Sequence, residues 1–282
     1  MQTVLVNTNL IRPPIASVGI DYVAESLGTC GHEVSILDLC WVGDTHAAIQ
    51  RFFHDRNGGL VGVSLRNTDD CAFGSRASFL VQLRDIVSTI RHNTAAPIFV
   101  GGGGFSVMPE AVLKVREVDG GLWREGEFAL RAIATRVERH LDWHDVPGVA
   151  WRDGAGTHRK RPAYISLANL PAMTRRWGDN PRYLHEGGPI GFERKRGRSH
   201  PCTHCARPVA KGNQVRTRPP KAAADALQLR CAKSLSAARW EIPCAGTHTA
   251  NAAVLTPRWR VRCDTPDVWG STLEWTAATQ RY

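Results

Sequence analysis

The sequence predicts the α/β class over residues 1–142, as an open sheet of five parallel strands with helices on both faces. Three observations predict it. Short apolar runs recur along this stretch, each followed by a segment whose apolar residues fall at helical spacing. Strands and helices alternating at these lengths require crossover connections, and therefore a parallel sheet covered on both sides. Polar or glycine-rich loops follow the strands at their carboxyl ends, where such sheets hold their ligands.

Val4 to Val6 reads as the first buried strand, and Ile20, Val23, Ala24 and Leu27 then mark a helix that Gly31 can end. Val34 to Leu39 is the second strand. Asp44 is placed to cap a helix carrying Ile49, Phe52 and Phe53. Leu60 to Leu65 is the third strand, and Leu80, Leu83, Val87 and Ile90 form the next helical stripe. Ile98 to Val100 is the fourth strand, followed by a short helix near Pro109 to Val115. An edge strand at Gly121 to Trp123 and a helix with Leu130, Ile133, Ala134 and Val137 complete a Rossmann-like series.

Of the 282 residues 43% are hydrophobic and 22% charged, a globular balance that excludes disorder, collagen and coiled coil as whole-chain descriptions. No run of about 18 apolar residues occurs, and the start lacks the pattern of a secretory signal, so a soluble, cytoplasmic protein without membrane contact is expected. The net charge of +10 is unevenly placed, with −4 in residues 1–145 and +14 in residues 146–282. The two halves are built for different partners.

Four loops at carboxyl strand ends are candidate sites: Asn7 to Ser17, Arg66 to Ser75, Gly101 to Met108, and Arg124 to Glu127. Gly101-Gly102-Gly103-Gly104 removes the side-chain barrier to a flat or phosphorylated ligand, and equally makes a flexible strand-to-helix turn. It is not the dinucleotide fingerprint, because its spacing fails and no helix is expected to begin at once. Arg66-Asn67-Thr68-Asp69-Asp70 puts five polar residues where a ligand would lie, or forms a solvated loop. Arg124-Glu125-Gly126-Glu127 reads equally as a helix start with its carboxylates near the positive dipole end.

From about Pro147 the pattern changes. Val149 to Gly154 suggests a hairpin turning at Asp153-Gly154, and 143–189 as a whole reads as hairpin and linker, rich in turn residues from Pro162 to Pro189. Gly191 to Pro220, within a further segment at 190–228, is strongly basic and holds Cys202 and Cys205, the one close pair among eight cysteines. Two thiolates at this spacing can reach one metal, and surrounding Arg and Lys lower thiol pKa. The pair could be half of a zinc knuckle with His200 or His204, although no second C-x-x-C follows. Basic runs are usually solvated faces, so nucleic-acid binding through 194–221 is disfavoured. Residues 229–282 show no periodicity and are an unassigned tail, for which an aberrant, out-of-frame origin is one reading.

Together these segments resemble the cobalamin-dependent radical S-adenosylmethionine (SAM) proteins. Arg12-Pro13-Pro14 with Gly31 to Asp38, Val63-Ser64-Leu65-Arg66-Asn67, Val100 to Glu110, and Arg124 to Glu127 are similar to that family's amino-terminal cobalamin-binding domain. Lys195 to Gly197, Cys202 to Pro208, Lys211-Gly212 and Arg216 to Pro220 are similar to the start of its radical SAM domain. The resemblance covers about residues 3–227.

It implies a cobalamin-binding, methyltransferase-type enzyme that uses SAM and a [4Fe-4S] cluster. The implied cofactor-binding residues are Pro13, Pro14, Ser64, Arg66, Asn67, Thr68, Gly101, Gly102, Gly103, Gly104, Phe105, Glu125, Gly126 and Glu127, and the implied metal ligands are Cys202 and Cys205. No Asp-x-His-x-x-Gly segment is present, which implies a cobalamin without a histidine lower ligand, with Arg66 and Asn67 nearest the metal. The implied partners are a small aromatic or natural-product substrate and a reductant protein.

Two departures stand out. The family's C-x-x-x-C-x-x-C motif leaves one iron open to SAM, whereas Arg198 stands here where the first cysteine belongs, and a cation cannot ligate iron. A six-unit partial barrel at about 30 residues per unit needs roughly 180 residues, and 92 follow Ile190. The expectation is retained cobalamin binding with weak or absent radical chemistry. The alternatives are a non-catalytic cobalamin- or metal-binding module acting as carrier or sensor, and a basic zinc-containing nucleic-acid binder.

Overall fold

The leading strand, β1 (Gln2–Asn7), lies between β2 (Glu33–Asp38) and β3 (Leu60–Ser64), and pairs parallel to both. The computed structural model describes residues 1–225 apart from 57, 71–73, 76, 201–204 and 224, so the tail at 229–282 lies outside the described residues. β3 pairs parallel with β4 (Ile98–Gly101), and β4 with β5 (Gly120–Leu122). The parallel order β2-β1-β3-β4-β5 is that of a doubly wound sheet whose direction of winding reverses between β1 and β3, and ligands bind outside the strand ends at such a point.

Helices form where the apolar periodicity places them. α1 (Val18–Gly28) starts at the Ser17 side chain, which accepts from the Ile20 backbone N–H, and the turn after it closes through Gly31 at positive φ. α2 (Thr45–His54) is capped by Asp44, as its sequence suggests, and α3 (Phe79–Asn93) by Ser78. α4 (Gly103–Val107) and α5 (Pro109–Val112) fill the β4-to-β5 crossover, and α6 (Gly126–Glu138) follows β5. α4 begins inside the glycine run, contrary to the expectation that no helix starts at once.

Strand alternation divides the interior into two cores. Val4, Val6, Val61, Val63, Ile98 and Val100 face α2, α3 and the α4–α5 crossover, packing with Ile49, Leu83, Val87, Ile90 and Phe105. Leu5, Leu60, Phe99 and Leu122 point to the other face, against Ile20, Ala24, Leu27, Leu130, Ile133 and Ala134 of α1 and α6.

The sheet has seven strands rather than the five expected. β6 (Val149–Asp153) and β7 (Gly156–Arg159) form the anticipated hairpin, but it extends the sheet instead of ending it: Gly121 and Leu122 pair antiparallel with Ala150 and Val149. β5 is therefore not an edge. An unpaired parallel edge leaves a row of free backbone N–H and C=O groups, and an antiparallel strand can cover them with a short connection.

Residues 163–190 lack a sheet of their own and pack on the first-domain surface. Leu167, Leu170 and Met173 bury Tyr22, and α7 (Asn180–His185) carries Tyr183 into a pocket with Ala16, Cys40 and Ile190. The Tyr183 hydroxyl donates to Asp38 Oδ2 at 2.7 Å and accepts from Asn7 Nδ2 at 3.1 Å, which ties this segment to the ends of β1 and β2. Beyond it, β8 (Lys195–Arg196) and β9 (Arg216–Thr217) pair antiparallel around the short α8 (Arg207–Lys211). No helix among the described residues is long and apolar enough to cross a membrane.

Candidate functional site at the carboxyl edge of the sheet

A cavity of about 580 Å³, counting its open mouth, lies between the sheet and the α1–α6 layer. Its floor is Leu5, Gly62, Ser64, Phe99, Gly101 and Leu122 from four parallel strands; its roof is Gly19, Ile20 and Val23 of α1 with Gly126, Glu127 and Leu130 of α6. Arg124 and Lys211 stand with them in the wall. The space exists because glycines line it. A Cβ on Gly62 would come within 2.8 Å of Leu5 and 3.1 Å of Leu130, whereas one on Gly19 would meet nothing and project into the opening. The cavity is largely apolar, as a recess for a flat organic group should be.

The glycine run does a different job from the one expected of it. Gly102 has φ 100°, and a Cβ there would lie 2.5 Å from the Leu65 carbonyl oxygen; Gly104 donates its N–H to the carbonyls of Leu65 and Arg66. The run therefore lets the β3 loop approach the β4 loop, and their joined backbones form the cavity's rim. Phe105, expected at the ligand, is wholly buried in the opposite core, because its ring fills the hollow over Gly121.

Arg66 and Asn67 border a second hollow of about 280 Å³ with Thr8, Asn9, Leu10, Phe79 and Gln82. Arg66 is exposed there, Thr68 bonds Asp69, and Ser64 lines the main cavity instead. Pro14 is buried and its carbonyl faces Gly188, while Pro13 is exposed; neither borders the main cavity. Of the predicted set, the structure brings Ser64, Gly101, Gly102, Gly126 and Glu127 to the cavity.

Glu125 and Glu127 are held by the basic segment. Arg196 donates from both terminal nitrogens to Glu127, and from Nε and Nη2 to Glu193. Arg216 pairs with Glu125. Burial alone would raise the Glu127 carboxyl, but the Arg196 guanidinium outweighs it and holds the group below the usual carboxylate range. Burial opposes the Arg196 charge, and Glu127 with Glu193 more than offsets this, so its pKa is raised. These acids anchor residues 193–218 to the first domain, a role with no local signature because 69 residues separate Arg196 from Glu127.

Cys205 is a partly exposed free thiol, and Cys202 lies outside the described residues. The backbone N–H of Arg198 donates to Gly212 O at 3.1 Å, and that position supplies no thiolate. Among the described residues no group of three or more His, Cys, Asp or Glu is arranged to hold a metal ion. Sequence reasoning missed Gly19, Gly62, Val23, Leu130 and Lys211; the usable signal was Gly62, an isolated glycine inside a β-branched strand.

Residues 5–134 match the B12 binding domain family. The chain is 27% identical over 283 residues to tryptophan 2-C-methyltransferase of Streptomyces laurentii, covering 82% of this chain and 47% of that protein. It is 28% identical, with a TM-score of 0.75, to the radical SAM methyltransferase TsrM of Kitasatospora setae, solved with cobalamin and a [4Fe-4S] cluster, covering 82% of this chain and 46% of that one. The cobalamin-dependent SAM radical enzyme OxsB shares the fold at 19% identity, with a TM-score of 0.69 over 83% of this chain and 32% of that one. The chain thus spans about half the length of the curated relative it matches. Residues 5–134 are thus similar to B12 binding domains, in a chain similar in sequence and structure to the cobalamin-dependent radical SAM methyltransferases.

Proposed function

We propose that residues 1–142 bind cobalamin at the carboxyl edge of the sheet, and that the chain is the cobalamin-binding part of a methyltransferase of the radical SAM class. The observation that carries this is the glycine-walled apolar cavity beside the winding reversal of the sheet. A corrin macrocycle is too broad for it, so the ring would lie over the rim made by Ser64, Arg66, Asn67 and Gly101 to Gly104. The slender aromatic base of the nucleotide tail suits the apolar recess below, among Leu5, Ile20, Val23, Phe99 and Leu130. Bound cobalamin supplies a carrier that accepts a methyl group from one molecule and gives it to another.

The protein's own part is positioning. Loops at four strand ends make a rigid rim, the α1–α6 layer keeps water from the recess, and Arg66 presents a cation at the rim. TsrM has been solved with tryptophan and a SAM analogue, which supports a small aromatic substrate for the whole enzyme. Residues 190–228 are read as the start of the radical SAM domain, with Cys202 and Cys205 as two cluster ligands. Arg198 at the first cysteine position of the motif does not fit a three-thiolate set, and this favours a second reading, a cobalamin carrier module without its own cluster.

The full chain, reconstituted anaerobically with hydroxocobalamin, iron and sulfide, tests both. One corrinoid per chain retained through gel filtration is expected. Folded protein that takes up none under any redox condition overturns the proposal. About four iron per chain with SAM cleavage selects the enzyme, and corrinoid without iron selects the module.

A further inference from the structure

One piece of the cavity wall does not come from the first domain. Among the described lining residues Lys211 alone lies beyond the linker, as the last residue of α8. Its charge bears on Glu127 in the same wall, where Arg196 and then Lys211 hold the carboxyl below the usual range against its burial. The placement of α8 therefore sets how this side of the recess is closed.

α8 does not hold that place by itself. A helix of five residues is far too short to be stable alone, and with Ala210 buried but Val209 exposed, apolar packing adds little. Polar contacts fasten it. Arg124 Nε donates to Val209 O at 3.0 Å, bringing a cation to the carbonyl end of the helix, and Nη1 donates to the Tyr164 hydroxyl. The Arg124 backbone is left-handed, with φ 74°, which is uncommon for a residue with a Cβ, and its N–H donates to Ser106 Oγ at 2.9 Å. Tyr164 completes the fastening. The Arg124 and Arg216 guanidinium carbons lie over its ring, at 5.6 and 5.0 Å from the centroid, and a Cβ on Gly212 would come within 2.8 Å of it. Gly212 directly follows α8, whereas Tyr164 does not border the cavity.

We infer that Tyr164 is a positioning residue: through Arg124 and Gly212 it latches α8 against the cavity, and a bound corrinoid leaves when this latch opens. The inference rests on the cobalamin reading and adds a gate to it. An element held by a few polar contacts opens more readily than the core around it, and a ligand favoured by the closed form protects that element in turn.

The test follows release of radiolabelled hydroxocobalamin from the full chain into an excess of the unlabelled compound, together with amide hydrogen exchange. The informative amides are those of Ala210 and Gly212, which bond to Ala206 O at 3.0 Å and Pro208 O at 2.9 Å. Tyr164→Ala is expected to exchange faster at both and to release the corrinoid about 10-fold faster, with uptake no slower than in wild type. Tyr164→Phe, which keeps the ring and loses the hydroxyl, should fall between the two and serves if the alanine variant does not fold. In wild type, bound corrinoid should slow exchange at the same amides. Release at the wild-type rate from both variants, or affinity lost through slower uptake alone, overturns the latch while the cobalamin reading stands. A folded wild-type chain that takes up no corrinoid overturns both.

Discussion

Arg196 and Glu127 form a two-point ion pair in the interior, with side chains 2% and 5% exposed. It joins the basic segment to the first turn of α6, and Arg216–Glu125 reinforces it one step away. Breaking a buried pair from one side strands a charge, which costs about 3–5 kcal/mol. Glu127→Leu and Arg196→Met are each expected to lower the urea midpoint by a corresponding amount, and the double variant Glu127→Leu/Arg196→Met to recover part of it. Simple additivity in that cycle would show that the pair is not coupled.

The same pair sets an acid limit. The folded Glu127 carboxyl titrates below its ordinary value, so its contribution is fully present above the unfolded value near 4.5 and is lost as pH falls through the lower folded one. Wild-type stability should drop below about pH 4.5 more steeply than that of Glu127→Gln. Urea midpoints between pH 3 and 6 measure the difference.

Asp21 works in the opposite sense. Burial pushes its carboxyl up to about 6 despite the Arg175 guanidinium beside it, with Glu25 adding to the rise. Between the ordinary value of 3.8 and about 6 the folded state holds the proton and the unfolded state does not, so this group's contribution falls as pH rises through that window. Asp21→Asn removes the term. The change in urea midpoint from pH 4.5 to 7 should therefore be more negative for wild type than for Asp21→Asn, and equal changes would refute it.

The parallel strands were legible because each is a run such as Ile98 to Val100, buried on both faces and bounded by turn residues, and the following helices keep a clean period. The hairpin was legible at Asp153-Gly154 as a local turn. Its pairing with Gly121 and Leu122 was not, since a strand carries no mark of which edge it will cover. The site divides the same way. Loop positions follow from strand ends, so Ser64 and Gly101 could be named. The cavity depends on the absence of side chains at Gly19, Gly62 and Gly126, on three elements far apart in sequence, and on Lys211 arriving from beyond the linker. Phe105 was misplaced for a related reason: only the hollow above Gly121 shows which face its ring takes.

Gly102 is the residue on which the rim depends. Its φ of 100° is open to glycine, and the missing Cβ admits the Leu65 carbonyl. Gly102→Ala adds strain of about 1–3 kcal/mol, with the close approach to backbone on top. It is expected to lower the thermal midpoint and to abolish corrinoid uptake, whereas Gly74→Ala, where a Cβ meets nothing and φ is not positive, should do neither.

Gly19 offers the cleanest separation of folding from binding. It lies in the first turn of α1 at ordinary φ, and a Cβ there meets no atom within 4 Å, so the residue is not required by packing or by backbone geometry. Replacing a helical glycine stabilises by roughly 0.5–1 kcal/mol where the site is open. Gly19→Ala should therefore raise the thermal midpoint slightly and leave hydroxocobalamin binding nearly unchanged. Gly19→Leu projects a larger group into the recess above Leu122 and beside Val23, competing directly for the space assigned to the nucleotide base. It is expected to keep a wild-type or higher thermal midpoint while weakening hydroxocobalamin binding by at least about 10-fold, equivalent to about 1.4 kcal/mol. Full affinity in a folded Gly19→Leu chain would place the base somewhere other than this cavity.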